Sequence, residues 1–217
     1  HGENTTVISY RANKTGRKDI ALEVRPLVAF RDYHSTTHEN TALNATLKTD
    51  AGLISLQPYP DLPELFFAHN AGEIAPTSYW YRNFEYREEQ ARGLEFQEDL
   101  FNPLVFKFTL KARTRAVILA STQAHGIARI AELQQKELKR RKAILTVAQA
   151  NDDFTKRLVL AADQFIVARG EQKTIIAGYH WFSDWGRDTM IALPGLTLAT
   201  GRAEIAKSIL LAFAQHV

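Results

Sequence analysis

The chain of 217 residues has no cysteine and only one methionine. The lack of thiols excludes disulfide scaffolds, zinc–thiolate sites and thiol catalysis together. Long apolar runs are also missing: no window approaches the roughly 18 uncharged apolar residues that a membrane-spanning helix needs. The first residues, His1, Gly2, Glu3 and Asn4, are polar and offer no apolar signal-peptide core, so the expected compartment is the cytoplasm. Charge of one sign is scarce as well. The formal net charge is +3, yet residues 129–142 alone hold six basic and two acidic side chains, or +4. The rest of the chain is therefore close to neutral. The basic run is expected to be the solvated face of a helix, and neither a nucleic-acid nor a membrane partner is expected. What is present, 45% hydrophobic and 24% charged residues, is ordinary globular composition, and the length suits two domains.

Up to Ser121 the chain reads as short strands separated by turn residues. Phe106, Phe108 and Leu110 alternate with Lys107 and Thr109, the period of two of a sheet with one face on a core. Further strands are expected over Val7–Tyr10, Ala21–Val24, Leu53–Gln57, Leu65–His69, Tyr79–Phe84 and Arg115–Leu119, with Pro58, Pro60 and Pro63 marking a loop or an edge. This pattern predicts an antiparallel β-sandwich over residues 1–121.

After Gln123 helix formers take over. A linker helix is expected within residues 122–150, with Ile127, Ile130, Leu133 and Leu138 on its apolar face against the sandwich and its lysines and arginines outward. Asn151, Asp152 and Asp153 are N-cap candidates for a second helix, in which Phe154, Leu158, Ala161 and Phe165 recur at helical spacing and which Gly170 closes. Lys173–Trp185 reads as an aromatic loop. Two more helices are expected over Thr189–Ala199 and Arg202–Gln215, the first kinked at Pro194 or regular only from there. The last helix, with Ile205, Ile209 and Phe213 on one face, reaches Val217 without a cap. Three helices with apolar faces and nothing to cover them are expected to be part of a larger, truncated domain.

The densest chemistry lies between Gly178 and Asp188, which hold two of the three tryptophans. Indole rings stack on the CH-rich face of a pyranose, while carboxylates and guanidinium groups take its hydroxyls. Trp181 and Trp185 are the stacking candidates, Arg187 a hydrogen-bonding fork, Asp184 a weaker ligand, and Gly186 a point of close backbone passage. The same composition also suits an ordinary core loop followed by an Asp-capped helix.

The segment Ala177–Arg202, AGYHWFSDWGRDTMIALPGLTLATGR, resembles the opening of the (α/α)6 barrel in the amylo-α-1,6-glucosidase domain of glycogen-debranching enzymes. Arg25, Pro26, Leu27 and Arg31, Asp32, Tyr33, His34 are similar to the N-terminal β-sandwich of bacterial and archaeal members, as are Tyr81–Phe84 and Glu98–Phe101. The resemblance implies a fragment with a sandwich, a linker helix and, over residues 151–217, the start of the barrel. It implies a parent enzyme that hydrolyses α-1,6 branch linkages of glycogen or a related branched α-glucan, with inversion and without a metal or cofactor. In that motif Asp188 is either the general acid or, with Arg187, a grip on the hydroxyls of the terminal glucose. The family usually carries proline near the place of His180, which is expected to be a packed or solvated side chain. Asp32, His34, Arg82 and Glu85 are glycogen or interface contacts in one reading and strand-end hydrogen bonds in the favoured one.

An inverting mechanism needs a second carboxylate roughly 6.5–9.5 Å from the first, and a twelve-helix barrel needs on the order of 200 residues. The chain alone is therefore expected to be inactive, and its uncovered helix faces to promote self-association. The rival reading is a self-sufficient, non-catalytic carbohydrate-binding or scaffold protein.

Overall fold

The computed structural model describes residues 3–12, 19–50 and 52–215, which divide into two compact units, the first ending at Glu132 and the second beginning at Leu133. In the first unit the strands are β1 (Thr5–Arg11), β2 (Ile20–Val24), β3 (Leu47–Asp50), β4 (Leu53–Leu56), β5 (Leu65–His69), β6 (Glu73–Glu85), β7 (Gln97–Leu110) and β8 (Arg115–Ser121). They make two antiparallel sheets, in the orders β1-β8-β5-β4-β3 and β2-β7-β6. Both sheets supply one core: Ile54, Phe67, Ala116 and Ile118 from the larger, and Leu104, Phe106, Phe108 and Leu110 from the smaller. This is the expected sandwich.

The alternation read in β7 holds, since Phe106, Phe108 and Leu110 are buried while Lys107 and Thr109 are not. Its first half is buried on both faces, because β7 is the central strand of its sheet and Val28 bridges to Phe101. There Glu98 is 1% exposed and receives both arms of the Arg31 fork at 2.8 Å, together with the Tyr86 hydroxyl and the Thr37 amide. Burial by itself would raise the Glu98 carboxyl, but the hydrogen bonds from Arg31 and Tyr86 hold it below its usual range. Burial and the same carboxylate push the Tyr86 phenol up to about 12.

The strand β3 and a five-residue helix α1 (Arg87–Ala91) went unread in the sequence. Strand β3 is a polar edge whose Leu47 alone packs on the core, so it lacks an apolar period.

The second unit contains helices α2 (Arg129–Val147, which begins in the first unit), α3 (Asp153–Gln164), α4 (Gly186–Leu196) and α5 (Ala203–Ala214), with a 3-10 turn at Leu198–Thr200. Asp152 is the N-cap of α3, its carboxylate accepting the Thr155 amide at 2.9 Å. Several expectations change here. The α3 stripe does not face inward: Phe154 is 72% and Leu158 53% exposed, and Val159 and Asp163 are the buried residues. Gly170 does not end a helix but turns a hairpin, β9 (Ile166–Arg169) and β10 (Gln172–Ile175), at φ +56. Pro194 sits inside α4, which starts at Gly186, so the regular part does not begin at the proline.

The basic run is not wholly solvated either. Arg140 bonds to Glu137 and Asp163, and Asp163, 6% exposed, also accepts Arg202 Nη1 at 2.7 Å. This ion network ties α2, α3 and the start of α5. The apolar core of the unit is Ile166, Ile175, Leu193, Ala206 and Ile209, with Ile205 and Phe213 packed against it as the α5 face predicted. No helix among the described residues is long and apolar enough to cross a membrane.

Candidate functional site

The hairpin β9–β10 sets the position of the aromatic loop. Its strands pair from Ile166↔Ile175 to Arg169↔Gln172, which leaves a two-residue turn and presents Arg169 and Thr174 to the residues that follow. Asp184 Oδ2 accepts the Thr174 hydroxyl at 2.9 Å and lies 3.1 Å from Arg169 Nη1. Asp184, expected as a sugar ligand, therefore anchors the loop. The turn Gly178–Phe182 closes on itself through Phe182 N–H to Gly178 O at 2.9 Å, and Ala177 N–H donates to Ser183 O at 3.0 Å. Tyr179 donates from its hydroxyl to Gln164 O, which ties the loop to the end of α3.

Helix α4 leaves this loop at once. Trp185 is its N-cap residue, 58% exposed, with its carbonyl accepting the Thr189 amide at 2.8 Å. Thr189 is fully buried and its hydroxyl donates to Ile175 O at 3.3 Å, so α4 is registered against β10. Arg187 and Asp188 are exposed in the first turn, where the helix macrodipole favours a negative group. Among the described residues neither side chain forms a hydrogen bond or ion pair within the chain. Trp181 is half-buried and its ring lies obliquely to that of His180, centroids 4.6 Å apart, while His180 itself is exposed.

Trp181, Trp185, Arg187 and Asp188 thus lie along one short stretch of loop and helix start, which is anchored through Asp184, Thr174, Arg169 and Thr189. The last three were not read from sequence. Their signal was present in Ile166–Val167 and Thr174–Ile175 flanking Gly170–Glu171, two β-forming pairs around a turn. Gly186 differs from expectation: a Cβ there would meet Phe213 at an ordinary 3.6 Å, so no close backbone passage requires glycine. No group of three or more His, Asp or Glu among the described residues is arranged to hold a metal ion.

The upstream motif residues bond within the first unit. Asp32 Oδ1 accepts the His34 amide at 2.9 Å, Glu85 accepts Gln97 across the β6–β7 pair at 3.1 Å, and Arg82 pairs with Glu39.

Comparison with known families places both units. The family model for the glycogen debranching enzyme N terminal matches residues 1–117, and that for amylo-alpha-1,6-glucosidase matches residues 160–217. No curated protein and no solved structure matches the chain.

Proposed function

Because this chain belongs to the glycogen debranching enzyme family, we propose that the start of α4 is the glucose-binding edge of an amylo-α-1,6-glucosidase site in a cytoplasmic enzyme. The observation that supports this reading is the exposed, uncommitted state of Arg187 and Asp188 beside an N-cap indole that is 58% open. Asp184, by contrast, is tied to the Thr174 hydroxyl and to Arg169. Trp181 and Trp185 stack on the pyranose and Arg187 forks its hydroxyls. Asp188 has two roles open to it, proton donor to the leaving oxygen or acceptor from the terminal glucose. In the first it needs a partner carboxylate on the opposite face, across a water molecule.

We further propose that residues 1–121 are the sandwich domain, 122–150 the linker, and 151–217 the first part of the barrel. The exposed Phe154, Leu158, Ile191 and Leu211 of α3, α4 and α5 support this, since such faces in a barrel are covered by further helices. The partner carboxylate would stand on one of those helices.

Glucose release from a branched limit dextrin tests the proposal. The 217-residue chain is expected to release none, and a protein carrying the complete helical domain to release glucose. In the latter, Asp188→Asn should reduce kcat about 10²–10⁴-fold if Asp188 is the acid, and mainly raise KM if it grips the sugar. Full activity of the Asp188→Asn protein would refute the assignment, and turnover by the chain alone would refute the incomplete barrel.

A further inference from the structure

The first unit contains a hollow of ≈ 420 Å³ that the reading above does not use, lined by Glu39, Ser78, Tyr79, Trp80, Tyr81 and Arg82. It runs along β6, the edge strand of the smaller sheet, between two breaks in the β6–β7 register, at Pro76/Tyr79 and at Tyr81/Phe84. Ser78 and Asn83, one in each break, take positive φ of 71° and 61°. Such bulges bend and twist a strand and re-aim its side chains.

Two buried polar residues of β7 hold the breaks in place. Asn102, fully buried, pins the first: Thr77 Oγ1 donates to its carbonyl at 2.9 Å and to Oδ1 at 3.0 Å. Asp99, 8% exposed, pins the second: its carboxylate accepts the Asn83 amide at 2.9 Å and the Glu39 amide at 3.0 Å. Asp99 thereby joins the two walls that carry Arg82 and Glu39. Burying polar groups is costly unless they are fully bonded, and both of these direct part of their bonding to the bulges that frame the hollow, which fixes its shape.

Its contents define the ligand class. Tyr79 stands 64% and Tyr81 37% exposed, so that each leaves ring surface open, while Trp80 is anchored on Phe101 at 5.5 Å. The two charged groups, Arg82 and Glu39, are paired with each other, so the lining has no net charge to attract an ion. Rings beside a neutral pair rich in donors and acceptors suit a neutral polyhydroxyl chain.

We propose that this hollow is a second, non-catalytic binding site for a neutral α-glucan segment, which would hold the polymer by the sandwich. The choice of glucan rests on the function proposed above; the hollow itself does not.

The test is titration of the 217-residue chain with maltoheptaose, followed by calorimetry and by saturation-transfer NMR. Tyr79→Ala and Tyr81→Ala are each expected to weaken binding about two- to tenfold, the range for one aromatic contact. Trp185→Ala should leave that component unchanged. Unaltered amide protection in β7 would show that the sandwich is still folded in each variant. Binding indifferent to both tyrosines, or no binding at millimolar sugar, overturns the hollow as a glucan site. Dependence on Trp185 alone would do so while sparing the α4 proposal, and dependence on the tyrosines alone would uphold the hollow while leaving α4 to be judged with a branched sugar.

Discussion

The sandwich and the helical unit bury their residues in different ways. In the first, eight buried apolar residues from two sheets form one core, and the buried carboxylates Glu98 and Asp99 are supplied with donors from Arg31, Tyr86 and neighbouring amides. In the second, five buried apolar residues form the core, while Phe154, Leu158, Ile191, Leu198 and Leu211 are all more than half exposed. An ion network at Asp163 does much of the joining that apolar packing does elsewhere. The first unit shares one core between two sheets, and the second leaves apolar side chains of α3, α4 and α5 open.

The comparison is most sharply tested at Asp163. Replacing it with alanine leaves the 7% exposed Arg202 guanidinium without its carboxylate, and should cost about 3–5 kcal/mol. Hydrogen exchange should show α3 and α5 losing protection while β7 keeps it. Equal loss in both units would mean that they unfold together and that the contrast is superficial.

Next comes Gly201, which closes the 3-10 turn at φ +72 with no room for a side chain: a Cβ would lie 2.7 Å from the Val147 carbonyl oxygen. Gly201→Ala is expected to destabilise the helical unit by about 1–3 kcal/mol in denaturant unfolding. An unchanged midpoint would mean that α2 does not pack there.

Acid should also act on the helical unit. Arg140, and after it Arg141, hold the Glu137 carboxyl at about 2 against an ordinary 4.5, with burial opposing. A depressed carboxyl contributes stability that is complete above pH 4.5 and is lost as pH falls through 2. Helical signal lost in that window in the wild type, and less so in Glu137→Gln, is the expected result.

The smallest effect on stability is expected at the open stripe. Phe154→Ser with Leu158→Ser should change the unfolding free energy by about 0.5 kcal/mol or less, yet reduce self-association in light scattering. A large loss of stability would show that the stripe is part of a closed core after all.

The sequence told most where one physical signal dominated. Phe106, Phe108 and Leu110 gave the inward face of β7, and Asp152 the start of α3, because burial period and capping are local properties. It misled where burial depended on what lies beyond the helix: the regular stripe of Phe154 and Leu158 proves amphipathicity, not the partner that covers it. The candidate site was legible only as a run of residue types, Trp181, Trp185, Arg187 and Asp188. Its support was not, because Thr174 and Thr189 act through pairings that exist only once the hairpin and α4 have met. The hollow of β6 was hidden for the same reason, since Asp99 and Asn102 look like surface residues until the register brings them under the bulges.

Sugar binding at the start of α4 is open to direct measurement. The indole N–H signals of the three tryptophans, assigned through Trp→Phe variants, should be followed as an α-1,6-branched glucan oligosaccharide is added. The Trp185 and Trp181 signals are expected to move with a common saturation curve that Arg187→Ala shifts to higher sugar concentration. Signals from both that stay in place at saturating sugar, in a chain whose fold is intact, would contradict the central claim.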